Sequence, residues 1–229
     1  MYGLPTTTIA KTELTSNSSS VTLNISTDAL QFTARHLVIR INARHNSTND
    51  NVLLRFNGDT GNNYNYGHIE GAGTTEAFSA NEDQSSIKLC EIDDASNEFN
   101  VGEWLVPDAF STRGHSTVLG IGGVDNTYGV HLTAGRWANT AALTSVTFMA
   151  SGGTGFAADS YFELAVVDEY YNVYEQINTG ALHFDFDPIR AVEGDLVIVG
   201  SLKSTQGTVE ELAVAFNNDT TAGNYWRQR

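Results

Sequence analysis

The sequence predicts an all-β protein: an antiparallel jelly roll or β-sandwich, followed by the start of a second, homologous jelly roll. Three observations lead to this prediction. Short runs of apolar residues alternate with polar ones, which is the period of a strand with one buried face. Turns rich in glycine and asparagine separate the runs, and the chain has 21 Gly against only 3 Pro. No stretch keeps a 3.6-residue helical period, and 137–146 is the one place where we expect a short helical turn.

Nine runs carry the strand signal, and turn residues bound them. In "NVLLRF", for example, Val52, Leu54 and Phe56 alternate with Leu53 and Arg55, so the first three are expected to face the core. Strands at this spacing are typical of sandwiches and jelly rolls. The predicted strands are 19–26, 36–45, 51–56, 85–92, 102–110, 116–124, 129–134, 145–151 and 161–171.

A repeated phrase divides the chain into one complete unit and part of another. "NVLLRFNGDTGNNYNY" at 51–66 returns in weaker form as "ELAVAFNNDTTAGNYW" at 211–226. The copies lie about 160 residues apart, far beyond the 20–50-residue periods of solenoids, so the repeat indicates duplicated domains. We predict a first jelly roll at 1–168, a linker at 169–182 and the first strands of an incomplete second jelly roll at 183–229.

Two questions about this division remain open in the sequence. Residues 1–26 form either the first strand of the first unit or an arm that reaches a neighbour. The incomplete second unit means either that the chain is cut short relative to its gene or that another chain completes its sheet. We favour the first explanation, because an unfinished sandwich would expose apolar sheet faces.

Charge and cysteine content exclude several classes of protein. The formal net charge is -15, which argues against binding to nucleic acid or to anionic membranes. The single cysteine, Cys90, rules out a disulfide framework within one chain and is expected to be a buried thiol. The N-terminus has no secretory signal pattern, and no window approaches the length of a membrane span.

The repeated phrase contains the only pattern that suggests a cation site. Asn57 and Gly58 suit a tight turn with positive φ. Asn57, Asp59 and Asn63 stand at alternate positions, as oxygen ligands of calcium would. The EF-hand spacing fails, however, because His68 stands where the bidentate glutamate should be. A turn that sets the register of the strands is therefore the favoured interpretation, and these three residues are only weak calcium candidates.

No catalytic or cofactor motif is present, so we expect neither enzymatic activity nor a cofactor. The sequence lacks a GxSxG elbow and a Walker motif, and "GIGGVD" at 120–125 lacks the spacing of a dinucleotide site. None of the six histidines pairs at HxH or HExxH spacing, which leaves a zinc site without support. The carboxylates of "DFD" at 185–187 are expected to lie in a solvated turn.

Aromatic residues offer one binding hypothesis. Exposed aromatic rings on a jelly roll can stack on sugars. Packing in the core or at a subunit contact is the favoured alternative. The residues considered for glycan or partner contact are Tyr64, Tyr66, Trp104, Tyr128 and Trp137.

Two segments together resemble a family of virion structural proteins from tailed bacteriophages. "RFNGDTGNNY" at Arg55–Tyr64 is similar to the RFNGDTGxNY signature of that family. "GRWANTAALTSV" at Gly135–Val146 is similar to its tryptophan-containing segment, and a closing strand follows at Phe156–Val166. The likeness covers nearly all of the first unit and the visible part of the second. It departs at Pro188–Ile189, where the family has Ile-Pro, and at "FELAVVDEYY", where family units close with Leu-Tyr-Gly.

The resemblance implies a non-catalytic jelly-roll component of the virion. We therefore expect a non-enzymatic structural protein, displayed on the particle as a capsid decoration or cement module. Its partners would be phage capsid or tail proteins, and docking at a symmetry axis would make it a homo-oligomer, with a trimer expected. The alternative is a receptor- or glycan-binding protein of the tail or a fibre. A polysaccharide-degrading enzyme would need a carboxylate pair in a groove.

Overall fold

A computed structural model describes residues 6–26, 36–47, 50–72, 75–93, 98–123, 129–151 and 155–167. These residues are all-β, as the sequence predicts, and they include no helix that could cross a membrane. The twelve strands are β1 Thr6–Glu13, β2 Ser20–Asn24, β3 Leu37–Ala43, β4 Asp50–Phe56, β5 Tyr64–Ala72, β6 Thr75–Gln84, β7 Ile87–Ile92, β8 Asn100–Val106, β9 Ser116–Gly123, β10 Val130–Trp137, β11 Ser145–Ala150 and β12 Tyr161–Val167.

The strands form two antiparallel sheets that pack face to face. The larger sheet has eight strands in the order β1-β12-β3-β8-β9-β10-β5-β6. The smaller sheet has four strands in the order β2-β11-β4-β7. Apolar side chains from the two inner faces form one continuous core, which is the arrangement of a β-sandwich.

The strand order is that of a jelly roll with one strand expanded into three. In a jelly roll, eight strands taken in chain order form one sheet as 1-8-3-6 and the other as 2-7-4-5. The smaller sheet here, β2-β11-β4-β7, matches the first order. The larger sheet matches the second order, 2-7-4-5, when the three-stranded meander β8-β9-β10 is counted as strand 7 of the ideal jelly roll. Strands β3, β5 and β6 then correspond to its strands 2, 4 and 5. Three antiparallel strands reverse the chain as one strand does, so the topology is kept.

Two further strands extend the larger sheet beyond β3. Strand β12 pairs with β3, and β1 pairs with β12 with a register shift between Thr8 and Ala10. Thr6–Glu13 therefore pairs as a strand of the larger sheet within its own chain. The expected second unit and its linker, 169–229, lie outside the described residues.

The predicted inward positions are buried. Val52, Leu54 and Phe56 of β4 are fully buried, and the alternate residues Leu53 and Arg55 are only partly so. All nine predicted runs contain a strand. The nine runs do not include β1, β5 or β6. As an edge strand, β6 exposes Glu76–Ala80 on both faces and shows no alternation. The helical turn expected in 137–146 is wrong: that stretch ends β10, forms an irregular loop and begins β11.

Glycines on β8 and β9 make room for the buried indole of Trp104. A Cβ added to Gly102 would lie 2.1 Å from this ring, and one added to Gly122 would lie 2.9 Å from it. At Gly120, a Cβ would meet the backbone, at 2.2 Å from the carbonyl oxygen of Glu103. Thus "GIGG" in β9 is a packing feature of the sheet.

Candidate functional site

The repeated phrase forms the turn between β4 and β5. Asn57 and Gly58 have φ of 52° and 65°, and the amide of Asp59 donates to the carbonyl of Phe56 at 3.0 Å. Two consecutive positive φ values define a type I′ turn, for which Asn-Gly is the preferred pair. The predicted tight turn is therefore confirmed.

The carboxylate of Asp59 holds this turn to the core. One oxygen accepts from the Gly61 amide at 2.8 Å. The other accepts from the Asn63 side chain at 2.9 Å and from the indole N–H of buried Trp137 at 2.7 Å. The Trp137 bond is the largest cause of a lowered pKa at Asp59; burial opposes it, and the Asn63 and Gly61 bonds add to it. Tyr64 adds a hydroxyl bond to the Asp59 carbonyl at 3.1 Å.

Asn57 ties the same turn to the loop between β10 and β11. Its side-chain oxygen, Oδ1, accepts hydrogen bonds from the backbone amides of Thr144 and Ser145 at 2.7 and 3.2 Å. Its side-chain nitrogen, Nδ2, donates to the backbone carbonyl of Ala142 at 2.9 Å. The side-chain oxygens of Asn57 and Asp59 thus accept from protein donors, and Asn63 contributes a donor. This arrangement gives the three calcium candidates a structural role.

Most of the aromatic residues considered for glycan stacking lie in the core. Tyr64, Trp104 and Trp137 are buried, with exposures of 0%, 0% and 1%, so a ligand at the surface cannot stack on them. Tyr64 and Trp137 instead stack on each other at 6.4 Å between ring centroids. Tyr66 is partly buried and packs against the core. Tyr128 lies outside the described residues.

The exposed apolar side chains gather on the outer face of the larger sheet. They belong to five consecutive strands, β8, β9, β10, β5 and β6, and all except Phe78 on the edge strand β6 alternate along their strands with residues that are less exposed. We call this set the outer apolar face, and its members are Ile69, Phe78, Val101, Leu119, Ile121, Val130 and Leu132.

The pairing register places these residues side by side. Ile121, Leu132, Ile69 and Phe78 are direct partners across β9, β10, β5 and β6, so they form one row. Directly paired residues have Cβ atoms about 4.5–5.5 Å apart, which makes the row continuous. Phe78, at 71% exposure, is the most exposed of them. Its ring lies over Gly67, which is two positions before Ile69 on β5.

Charged residues continue this row toward β12. Arg40 of β3 lies between Glu103 and Glu163 and contacts them at 2.8 and 3.2 Å. Glu103 is in turn the direct partner of Ile121 on β9. Along this row, the outer face therefore changes from a paired ionic cluster on β12, β3 and β8 to apolar residues from β9 onward.

The inner face of the same sheet contains a buried pair of histidines. His68 Nε2 and His131 Nδ1 are 2.9 Å apart, and the rings stack at 5.0 Å between centroids. Their exposures are 3% and 0%. Burial, followed by the charge of Lys88 and the neighbouring His131, lowers the pKa of His68 to about 4. His68 is therefore neutral at physiological pH. Sequence patterns do not reveal this pair, because the two histidines are 63 positions apart and only the β5–β10 register brings them together.

No protein-family model, curated protein or solved structure matches this chain.

Proposed function

We propose that this chain is a non-enzymatic structural protein of a tailed-phage virion, displayed on the particle surface as a decoration or cement module. The observation that carries the proposal is the outer apolar face on a jelly-roll scaffold. The motif resemblance at Arg55–Tyr64 and Gly135–Val146 supplies the choice of particle. The partners are capsid or tail proteins. Three copies of this chain form a trimer at a symmetry axis of the particle.

The size of the outer apolar face supports a protein partner. Its seven side chains are 41–71% exposed and lie on five consecutive strands, so together they present an apolar surface on the order of several hundred Å². Monomeric proteins rarely expose contiguous patches above about 300–600 Å². One side of a standard protein interface is about 800 Å². The face is thus large enough to form most of one interface.

Its shape also suits a broad protein contact. The row next to Ile121 and Leu132 contains Leu119, Ala134 and Gly67 on neighbouring strands. Small residues between larger ones leave a shallow surface without a deep pocket. Such a surface fits another sheet or shell subunit better than a small ligand.

The charge of the chain supports a position on the outside of a particle. A net charge of -15 repels packaged DNA, so an inner position against the genome is unfavourable. The same charge keeps a protein displayed in many copies soluble. Receptor or glycan binding is the weaker proposal, because Tyr64, Trp104 and Trp137 are buried and three of its five candidate residues are lost to it.

Charge substitutions on the outer apolar face test this proposal. Leu132→Asp and Phe78→Asp place a carboxylate in the proposed interface, and Thr22→Asp is the matched control on the exposed face of the smaller sheet. Binding of the purified full chain to particles that lack it would be measured by co-sedimentation, and self-association by analytical ultracentrifugation. We expect a loss of at least about tenfold in affinity for the two face variants, equal to about 1.4 kcal/mol, and none for the control. Equal binding by the wild type and the three variants would refute docking through the outer apolar face. Failure of the wild type to bind would refute the proposed function.

A further inference from the structure

The histidine pair on the inner face has a carboxylate beside it. Glu70 lies two residues after His68 on β5 and is the direct partner of His131 on β10. Residues at i and i+2 of a strand point to the same face, so all three side chains point inward. Within the described ranges, they are the one group of three metal-type ligands, and their ligand atoms all lie within 4.8 Å of one another.

The spacing of these atoms is close to that around a bound transition metal. Zinc–nitrogen bonds are about 2.0–2.1 Å long, which places neighbouring ligands of a tetrahedral ion about 3.3 Å apart. The two histidine nitrogens are 2.9 Å apart, so an ion between them requires a separation of only a few tenths of an ångström. Glu70 is partly exposed, so its carboxylate can approach the ion by rotation about its own side-chain torsions.

The chemistry of the three ligands selects the class of ion. Two imidazoles and one carboxylate form a set that zinc uses, and the same set in facial arrangement binds ferrous iron. Calcium and magnesium prefer oxygen ligands alone. The nearest cation, Lys88, is paired with Glu91 at 2.7 Å, which offsets its repulsion of a bound ion.

We propose that His68, Glu70 and His131 form a binding site for one divalent transition-metal ion of the zinc type. Three protein ligands leave at least one coordination position for water or another ligand on the Glu70 side. The ion would join β5 to β10, the two strands whose opposite face presents Ile69 and Leu132. The site is independent of the proposed virion function and can be tested without a particle.

Calorimetric titration of the chelator-treated full chain with zinc sulfate tests the site. The decisive variants are His131→Gln and Glu70→Gln, and Glu76→Gln is the control, since Glu76 is exposed on neighbouring β6. We expect one zinc ion per chain, affinity at least about tenfold weaker (about 1.4 kcal/mol) in both ligand variants and unchanged affinity in the control. Glu70→Gln decides the result if His131→Gln does not fold.

A second readout separates this site from surface carboxylates. Cobalt bound by two imidazoles and a carboxylate gives visible absorption bands, which His131→Gln or Glu70→Gln should remove while Glu76→Gln keeps them. The absence of stoichiometric zinc binding would leave the pair as a hydrogen-bonded structural contact and overturn the site. Binding of equal affinity in the wild type and Glu70→Gln would overturn the assignment of the carboxylate ligand.

Discussion

Removal of the Asp59 carboxylate should destabilise the protein strongly, although the side chain lies in a surface turn. Asp59→Ala deletes three hydrogen bonds and leaves the indole N–H of Trp137, which is 1% exposed, without its acceptor. A bond to a charged acceptor contributes about 1.5–3 kcal/mol, with a buried unsatisfied partner at the upper end. The Gly61 and Asn63 bonds lie near solvent, and we assign them about 0.5 kcal/mol each. The expected loss is about 3–4 kcal/mol, well within the roughly 5–15 kcal/mol that domains have.

Urea unfolding followed by tryptophan fluorescence measures this loss, with Glu76→Ala as the control for removal of an exposed carboxylate. Since the pKa of Asp59 is lowered in the folded protein, its contribution is present above the ordinary value of 3.8 and is lost as the pH falls through the lowered one. The difference between wild type and Asp59→Ala should therefore shrink in acid. A loss at neutral pH no larger than that of Glu76→Ala would refute the role of Asp59 as the anchor of the turn.

Three further predictions concern the core. Gly120→Ala should cost about 3 kcal/mol or more in the free energy of unfolding, because its Cβ would meet the backbone of β8. Gly71→Ala, with open space around it, should cost nothing. Equal free energies of unfolding for the two variants in urea would contradict the packing around Trp104. Burial raises the pKa of Cys90 to about 12, so an aromatic disulfide reagent should modify it only after unfolding in guanidinium, and rapid labelling of the native protein would contradict this. Because the pKa of His68 falls from 6.5 to about 4 on folding, the unfolded chain takes up the proton first, and roughly 3 kcal/mol of stability should be lost as the pH falls from 6.5 to 4. His68→Gln should flatten this dependence of the unfolding free energy on pH, whereas His115→Gln, at an exposed position, should leave it unchanged.

Local patterns in the sequence were sufficient for most of the fold. Alternation in "NVLLRF" places Val52 and Leu54 inward, and Asn57-Gly58 specifies the turn that follows. Both features depend only on neighbours in the chain. The edge strand β6 escaped prediction because neither of its faces is buried.

Features that depend on register between distant strands could not be predicted in this way. Trp104 is buried because Gly120 and Gly122 on the neighbouring strand leave space for it, and the sequence does not show that these residues meet. The same limit applies to His68 and His131. The 137–146 loop lacks the expected helical turn because Asn57, from a distant turn, accepts the amides of Thr144 and Ser145 and holds the chain extended.

The outer apolar face was hidden for a different reason. In "STVLGIGGV" the residues from Val118 to Gly123 are apolar or glycine on both faces of β9, so alternation cannot indicate which face is buried. The structure places Val118 in the core and exposes Leu119 and Ile121. An exposed apolar face of this kind becomes visible only when the second sheet is shown to cover the other side.

Cryo-electron microscopy of tailed-phage particles whose genome contains this sequence is the most direct test of the proposed virion function. Our account predicts density for the jelly roll on the particle surface, with Leu132 and Phe78 of the outer apolar face buried against the shell or a neighbouring copy. Particles that lack the chain, or that carry it with this face turned to solvent, would contradict the account.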